Sequence, residues 1–160
     1  SDAQRPGGDA LAALKWCHAL GALLHTAESA GGANSALLLT VDYLKTRKQF
    51  GQLIGSYQAL KHPTVDAMIA VEHSRSHLYY AASLFNGYDG GESEVAVRMA
   101  KVHSNESFYF ASDRSIQFHG GMGFTHECNA GLHFRRAQWN KFSFGDTLHH
   151  RRHLRRLLMP

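Results

Sequence analysis

Only three prolines occur in the chain, at positions 6, 63 and 160, so the stretch from 64 to 159 runs without one. Inside a helix proline removes a backbone donor and clashes with the preceding turn. Its scarcity leaves long helices open to this chain, and no clean two-residue alternation marks a half-buried strand. The apolar residues recur instead at spacings of three, four and seven. Residues 9–47 are expected to form one long helix, with Leu11, Leu14, Leu20, Leu24, Ala27, Gly31, Leu38 and Val41 on one face. The small residues of "SAGGA" (29–33) mark either close packing against another backbone or a local break.

The segment "FGQLIGSYQ" (50–58) reads as a loop, and a second helix is expected from about Gln58 to Phe85. Pro63 falls in its first turns, where a missing N–H does least harm. "NGYDGGE" (86–92) is a turn. A third helix is expected from Glu92 to His119, with Val95, Met99, Val102, Glu106, Tyr109, Asp113 and Ile116 as its core stripe. The two acids in that stripe require partners, or else a rotated face. Two shorter helices follow at about 128–140 and 146–158. Long helices joined by short connections pack antiparallel. The expected fold is therefore all-α, an antiparallel four-helix bundle with an extra short C-terminal helix. Residues 1–8 read as a linker and 9–160 as one domain.

Composition narrows the class. A hydrophobic content of 44% and a charged content of 19% are ordinary for a globular domain. No apolar run approaches the ~18 residues of a membrane span, and the N-terminal residues lack a signal-peptide pattern. Cys17 and Cys128 form no C-x-x-C and suit a reducing, cytoplasmic setting. The net charge is +4, with Arg135, Arg136, Arg151, Arg152, Arg155 and Arg156 near the end. No nucleic-acid-binding motif accompanies these arginines, and solvated helix faces account for them. His73 and His77, like His149 and His153, are spaced i, i+4. A metal needs at least a third ligand, and no H-E-x-x-H occurs.

"QFHGGMGFT" (117–125) concentrates three glycines in four positions. It is no dinucleotide fingerprint, because position 126 is His126, and no P-loop, because no Gly-Lys-Ser/Thr follows. A helix stop and a backbone cradle for an anion both fit the residues.

The pair "YLKTRKQFGQLIGSYQALKH" (43–62) and "QFHGGMGFTHE" (117–127) resembles the acyl-CoA dehydrogenase family. There, sequences like R-K-x-F-G-x-x-I-x-x-x-Q and Q-x-x-G-G-x-G occur in this order in the C-terminal helical domain. The tail "FRRAQWNKFSFGDTLHHRRHL" (134–154) is similar to a branch with an F-G-D ending. The resemblance implies a flavoprotein that removes two hydrogens from an acyl-CoA thioester. A carboxylate takes the α-proton, flavin N5 takes the β-hydride, and an electron-accepting flavoprotein or similar acceptor reoxidises FAD. It also implies a homo- or hetero-oligomer, dimer or tetramer, in which one subunit's helical domain completes a neighbour's FAD site. Carried over by motif, Arg47, Phe50 and Gln58 would meet that FAD. Gln117, Gly120 and Gly121 would meet its diphosphate and adenosine end.

Two departures qualify the resemblance. The family normally has an N-terminal helical domain and a β-domain before this one. The chain is thus expected to be a C-terminal domain excised from a longer protein, inactive by itself. The family's base, a Glu, falls by spacing on Phe144, or in other members on Gly21. Neither takes a proton. The nearest carboxylates are Asp146 and Glu28. The chain is then an enzyme with a shifted base, a non-catalytic subunit of a mixed oligomer, or a domain aligned differently from these counts.

Overall fold

The computed structural model describes residues 8–88 and 90–159. The linker expected at 1–8 lies outside the described residues except for Gly8, which opens the first helix. Helix α1 spans Gly8–Thr46, α2 Gln58–Phe85, α3 Glu92–His119, α4 Ala130–Phe142 and α5 Thr147–Leu158. The all-α bundle with an extra C-terminal helix is the observed architecture. Helix α3 is its axis: α1, α2, α4 and α5 all pack against it.

The core lies on different faces from those expected. On α1 the expected stripe includes Leu11, Leu14, Leu24 and Leu38, which are exposed, while Ala19, Ala22, Leu23, Ala30, Ala33, Ala36, Leu37 and Leu44 are buried. On α3 Val102 is buried as expected, but Glu106 and Tyr109 are exposed, while Val97, Ala100, Ser104, Phe108, Ala111, Ser112 and Ser115 are buried. The stripe is rotated, and its acids are paired instead, Glu106 with Arg151 and Asp113 with Arg114. The reason is steric. A central helix touched from several sides needs small residues to let its neighbours approach. Ala and Ser supply that closeness without a strong apolar signal. Gly31 and Gly32 do not break α1, and the Phe108 ring rests on Gly32 where a Cβ would overlap it.

The loop expected at 50–58 contains regular structure. Strands β1 (Lys48–Gln49) and β2 (Gln52–Leu53) pair antiparallel, with Lys48 opposite Leu53, and a single 3₁₀ turn covers Ile54–Ser56. The two-residue tip is Phe50 and Gly51, with φ of 52° and 83°. Two left-handed residues in a row are what a tight hairpin demands. The first of them is a phenylalanine, not the usual Asn or Asp, which hides the hairpin in the sequence.

Candidate functional site

One end of the bundle gathers both motifs. Helix α1 finishes there, α2 begins there and α3 finishes there. Leu44 of α1, Ile54 of the 3₁₀ turn and Phe118 of α3 form a buried cluster, with Tyr43, Tyr57 and Leu60 packed around it. Tyr43 stacks on His119, with ring centroids 4.2 Å apart. His119 Nδ1 donates to the Ser115 carbonyl at 2.7 Å, which fixes the ring for that stack. The "RKQFG" hairpin and the glycine stretch therefore sit on one apolar foundation.

The side chains above that foundation are accessible. Arg47, Phe50, Gln58, Gln117, Gly120 and Gly121 are all exposed, Phe50 at 92%. Arg47 is fixed through its backbone: its N–H donates to Tyr43 and its carbonyl accepts from Ile54, each at 2.9 Å. Helix α3 stops at Gly120, whose φ of 61° and ψ of −137° suit glycine alone. A Cβ on Gly120 or Gly121 would meet nothing within 4 Å, so the backbone there is open to a ligand. The stretch is thus both a helix stop and an accessible backbone. Gly123 has a different job, because a Cβ there would overlap the Ile116 carbonyl.

The charge at this end is positive. Lys45, Arg47, Lys48 and Lys61 cluster around the hairpin and the start of α2, and none of them has an ion-pair partner among the described residues. The α2 N-terminus adds its own partial positive charge and unpaired N–H groups. An anionic, hydrogen-bonding ligand such as a diphosphate fits this donor set.

The two positions that spacing assigns to a base stand elsewhere, and they stand against each other. The Phe144 ring sits on Gly21, and a Cβ at position 21 would overlap it. His18 and His25, one turn to either side, flank the same ring, with centroids at 5.6 and 5.2 Å. Phe144 is itself left-handed, at φ 56°. His150 Nε2 donates to the Phe144 carbonyl at 3.1 Å, leaving Nδ1 to accept from Arg98 Nη1 at 3.4 Å. Burial first, then the Arg98 charge, pushes His150 down to about 4, so it is neutral at physiological pH.

Both nearby carboxylates are committed. Glu28 is gripped by Arg136, whose Nε contacts Oε1 and whose Nη2 lies 2.9 Å from Oε2. That hydrogen bond holds the Glu28 carboxyl below its ordinary range, making it a weaker proton acceptor. Asp146 caps α5, accepting from the His149 N–H at 2.7 Å.

Behind this surface lies a polar core that apolar periodicity does not reveal. Lys101 is fully buried, and its Nζ donates to Asn105 Oδ1 at 2.8 Å and to the Asn140 carbonyl at 2.7 Å. Asn140 in turn donates to Ser29 Oγ at 3.2 Å and accepts from His25 Nδ1 at 3.3 Å. The signal available in the sequence is the run Val97, Lys101, Ser104, Phe108, in which a lysine occupies a core-facing step.

Of the two i, i+4 histidine pairs, His149 and His153 bring their rings to 4.3 Å, while His77 contacts a different histidine. His77 stacks on His103 at 4.3 Å, and His153 Nδ1 donates to the His149 carbonyl at 2.9 Å. No group of three metal-ligating side chains occurs among the described residues. Among these residues no helix is long and apolar enough to cross a membrane.

Comparison with known proteins gives the geometry its context. The family model for the acyl-CoA dehydrogenase C-terminal domain matches residues 11–159. The chain belongs to the acyl-CoA dehydrogenase family. Acyl-CoA dehydrogenase IpdE2 of Mycolicibacterium smegmatis is 35% identical over 136 residues, covering 85% of this chain and 40% of that protein. Among solved structures, the Tcur3481–Tcur3483 steroid ACAD superposes with a TM-score of 0.86 at 28% identity, covering 92% of this chain and 40% of that one. The ChsE4–ChsE5 complex of Mycobacterium tuberculosis superposes with a TM-score of 0.84 at 27% identity, covering 89% and 38%. The chain thus spans about two-fifths of the length of these three relatives. Acyl-CoA dehydrogenases are in general flavin-dependent, and the structural neighbours include assemblies of more than one kind of chain.

Proposed function

We propose that this chain is the C-terminal domain of an FAD-dependent enzyme that α,β-dehydrogenates an acyl-CoA thioester, and that it grips the diphosphate end of a neighbouring subunit's FAD. FAD supplies the hydride acceptor. Arg47 offers a charged guanidinium to phosphate oxygens, Gln117 an amide, and Gly120 and Gly121 an unobstructed backbone. Phe50 and Gln58 complete the rim.

A single dimension carries the reading. Gly21 lies in the first half of α1 and Arg47 directly follows its last residue, and at 1.5 Å per residue they are about 39 Å apart. No one FAD reaches from the hairpin to the Phe144–Gly21 contact. If the first surface holds a diphosphate and the second faces a flavin ring, they serve different flavins. That arrangement requires an oligomer in which subunits share cofactor sites.

The test uses the full-length protein. Arg47→Ala and Gln117→Ala are expected to weaken FAD retention, by about ten- to a hundredfold for the arginine, as loss of a charged hydrogen bond predicts. Flavin absorbance after dialysis measures it, with sedimentation confirming an unchanged oligomer. FAD binding unaltered in both variants would refute the assignment.

A second reading is favoured by Phe144 on Gly21, together with the engagement of Glu28 by Arg136 and of Asp146 by α5. In it the chain is part of a non-catalytic subunit, and a paralogous chain brings the proton acceptor. Co-purification with a chain carrying that Glu, and dehydrogenation only in the mixture, is the expected result. Turnover by the homo-oligomer alone would sink this second reading.

A further inference from the structure

A cavity of about 310 Å³ opens between α1, the first turns of α3 and α5, and none of the residues assigned above to a flavin lines it. Its wall includes Lys15 and His18 of α1, Glu94 and Arg98 of α3, and His150 and His153 of α5. The cavity begins one turn along α1 from Gly21, because His18 both lines it and touches the Phe144 ring.

The charges on this wall do not cancel. Among the described residues Glu94 is the only carboxylate lining it, and it is already bound by Arg98 through Nε at 2.8 Å and Nη2 at 2.6 Å. Lys15 has no ion-pair partner among the described residues. Lysine, arginine and glutamate together leave one net positive charge. The Arg98 side chain is 15% exposed, so its field is poorly screened by water. That field registers on the neighbours: after burial, it is the next cause holding His18 below its ordinary range. The remaining lining is the rings of His18, Tyr88, His150 and His153, with the N–H groups of His150 and His153 already given to the Phe144 and His149 carbonyls, and the alkyl carbons of Ala19, Ala22 and Val97.

We propose that this cavity binds a single carboxylate, held between Lys15 and Arg98 and carried at the far end of the acyl group. A monoanion balances the wall, whereas a second negative charge would be left buried without a partner. Gly21 and Lys15 are about 9 Å apart along the helix axis. A carboxylate at that remove from the reacting carbons belongs to a medium-length acyl chain or to a ring system that ends in an acid. The substrate class is thus an acyl-CoA with a second, distal carboxylate. This assignment deepens the proposed function and rests on it for the source of the carboxylate, but not for its binding.

The test has a binding arm and a turnover arm, both on the full-length protein. In the first, suberate, whose chain of six methylenes keeps its second carboxylate outside the cavity, is titrated by calorimetry into wild type and Lys15→Glu. Lys15 is exposed, so the variant is expected to fold, and its Tm is checked. Suberate is expected to bind wild type and to bind Lys15→Glu at least tenfold more weakly. Arg75→Glu, the same charge change on α2, is expected to bind like wild type. In the second arm, suberyl-CoA is compared with octanoyl-CoA. A higher kcat/KM for suberyl-CoA that falls at least tenfold relative to octanoyl-CoA in Lys15→Glu supports the acyl chain as the source. Suberate binding without that preference supports the same carboxylate site filled by a free acid and overturns the substrate class. Suberate binding that is absent, or unchanged in Lys15→Glu, overturns the site. Failure to oxidise either thioester counts against the proposed function, and the calorimetry then still decides the cavity.

Discussion

Gly21→Ala is expected to destabilise the protein by about 1–2 kcal/mol, although alanine is the better helix former by about 1 kcal/mol. The new methyl group would overlap the Phe144 ring. The ring cannot slide freely, because His18 and His25 flank it and the Phe144 carbonyl is bound by His150. Overpacking of this kind typically costs about 1–3 kcal/mol, which outweighs the gain in propensity. The sign should reverse once the ring is gone. In a Phe144→Ala background, Gly21→Ala is expected to stabilise by up to about 1 kcal/mol, so the coupling between the two sites is about 2–3 kcal/mol. Urea unfolding of the four proteins in the cycle measures it. Additivity would show that the ring does not rest on Gly21. The prediction bears on function as well, since it tests whether the two positions assigned to a base exclude each other's side chains.

For Lys101 the expected result is a change in pH dependence. Burial pushes its ammonium down from 10.5 to about 8, opposed by the Glu28 charge. A pKa lowered in the folded state means that the unfolded chain binds more protons between about pH 8 and 10.5. Stability therefore rises with pH through that window, by at most about 3 kcal/mol from this group. Below pH 8 both states hold the proton and the contribution is flat. In Lys101→Met that rise is expected to vanish, while the other titrating groups remain the same in both proteins. At pH 7 the variant leaves Asn105 Oδ1 and the Asn140 carbonyl without their donor. Each such loss costs about 1–3 kcal/mol, offset in part by relief of a buried charge. Unfolding free energies at pH 7 and pH 10 check both statements. An identical rise in the two proteins would mean that the ammonium is not buried in the folded chain. The residue is worth the measurement because its network runs through Asn140 to His25, which lies against Phe144.

Much of the fold was legible because helix boundaries are set by local chemistry. The turn at 86–92 and the glycine at 120 placed the ends of α2 and α3, which are Phe85 and His119 as expected. The faces were not legible. Leu24 and Leu38 carry a strong apolar signal yet are exposed, while Ala33, Ser104 and Ser112 carry almost none and are buried. Periodicity finds large apolar side chains, and the centre of this bundle is built from small ones. The hairpin tip was hidden for a related reason, since the left-handed Phe50 is held by its surroundings and not by its own preference.

By itself the sequence determined that the chain is helical, where most of its helices end, and which two motifs belong together, since these depend on residue type and spacing along the chain. Only the tertiary structure showed that Leu44, Ile54 and Phe118 join those motifs into one positively charged surface. It alone put Phe144 on Gly21, engaged Glu28 and Asp146 elsewhere, and set Lys15 and the Arg98–Glu94 pair around one cavity. Those relations join residues distant in sequence, and packing decides them: which side chains meet, and which charges find no partner, depends on how the helices rotate against α3.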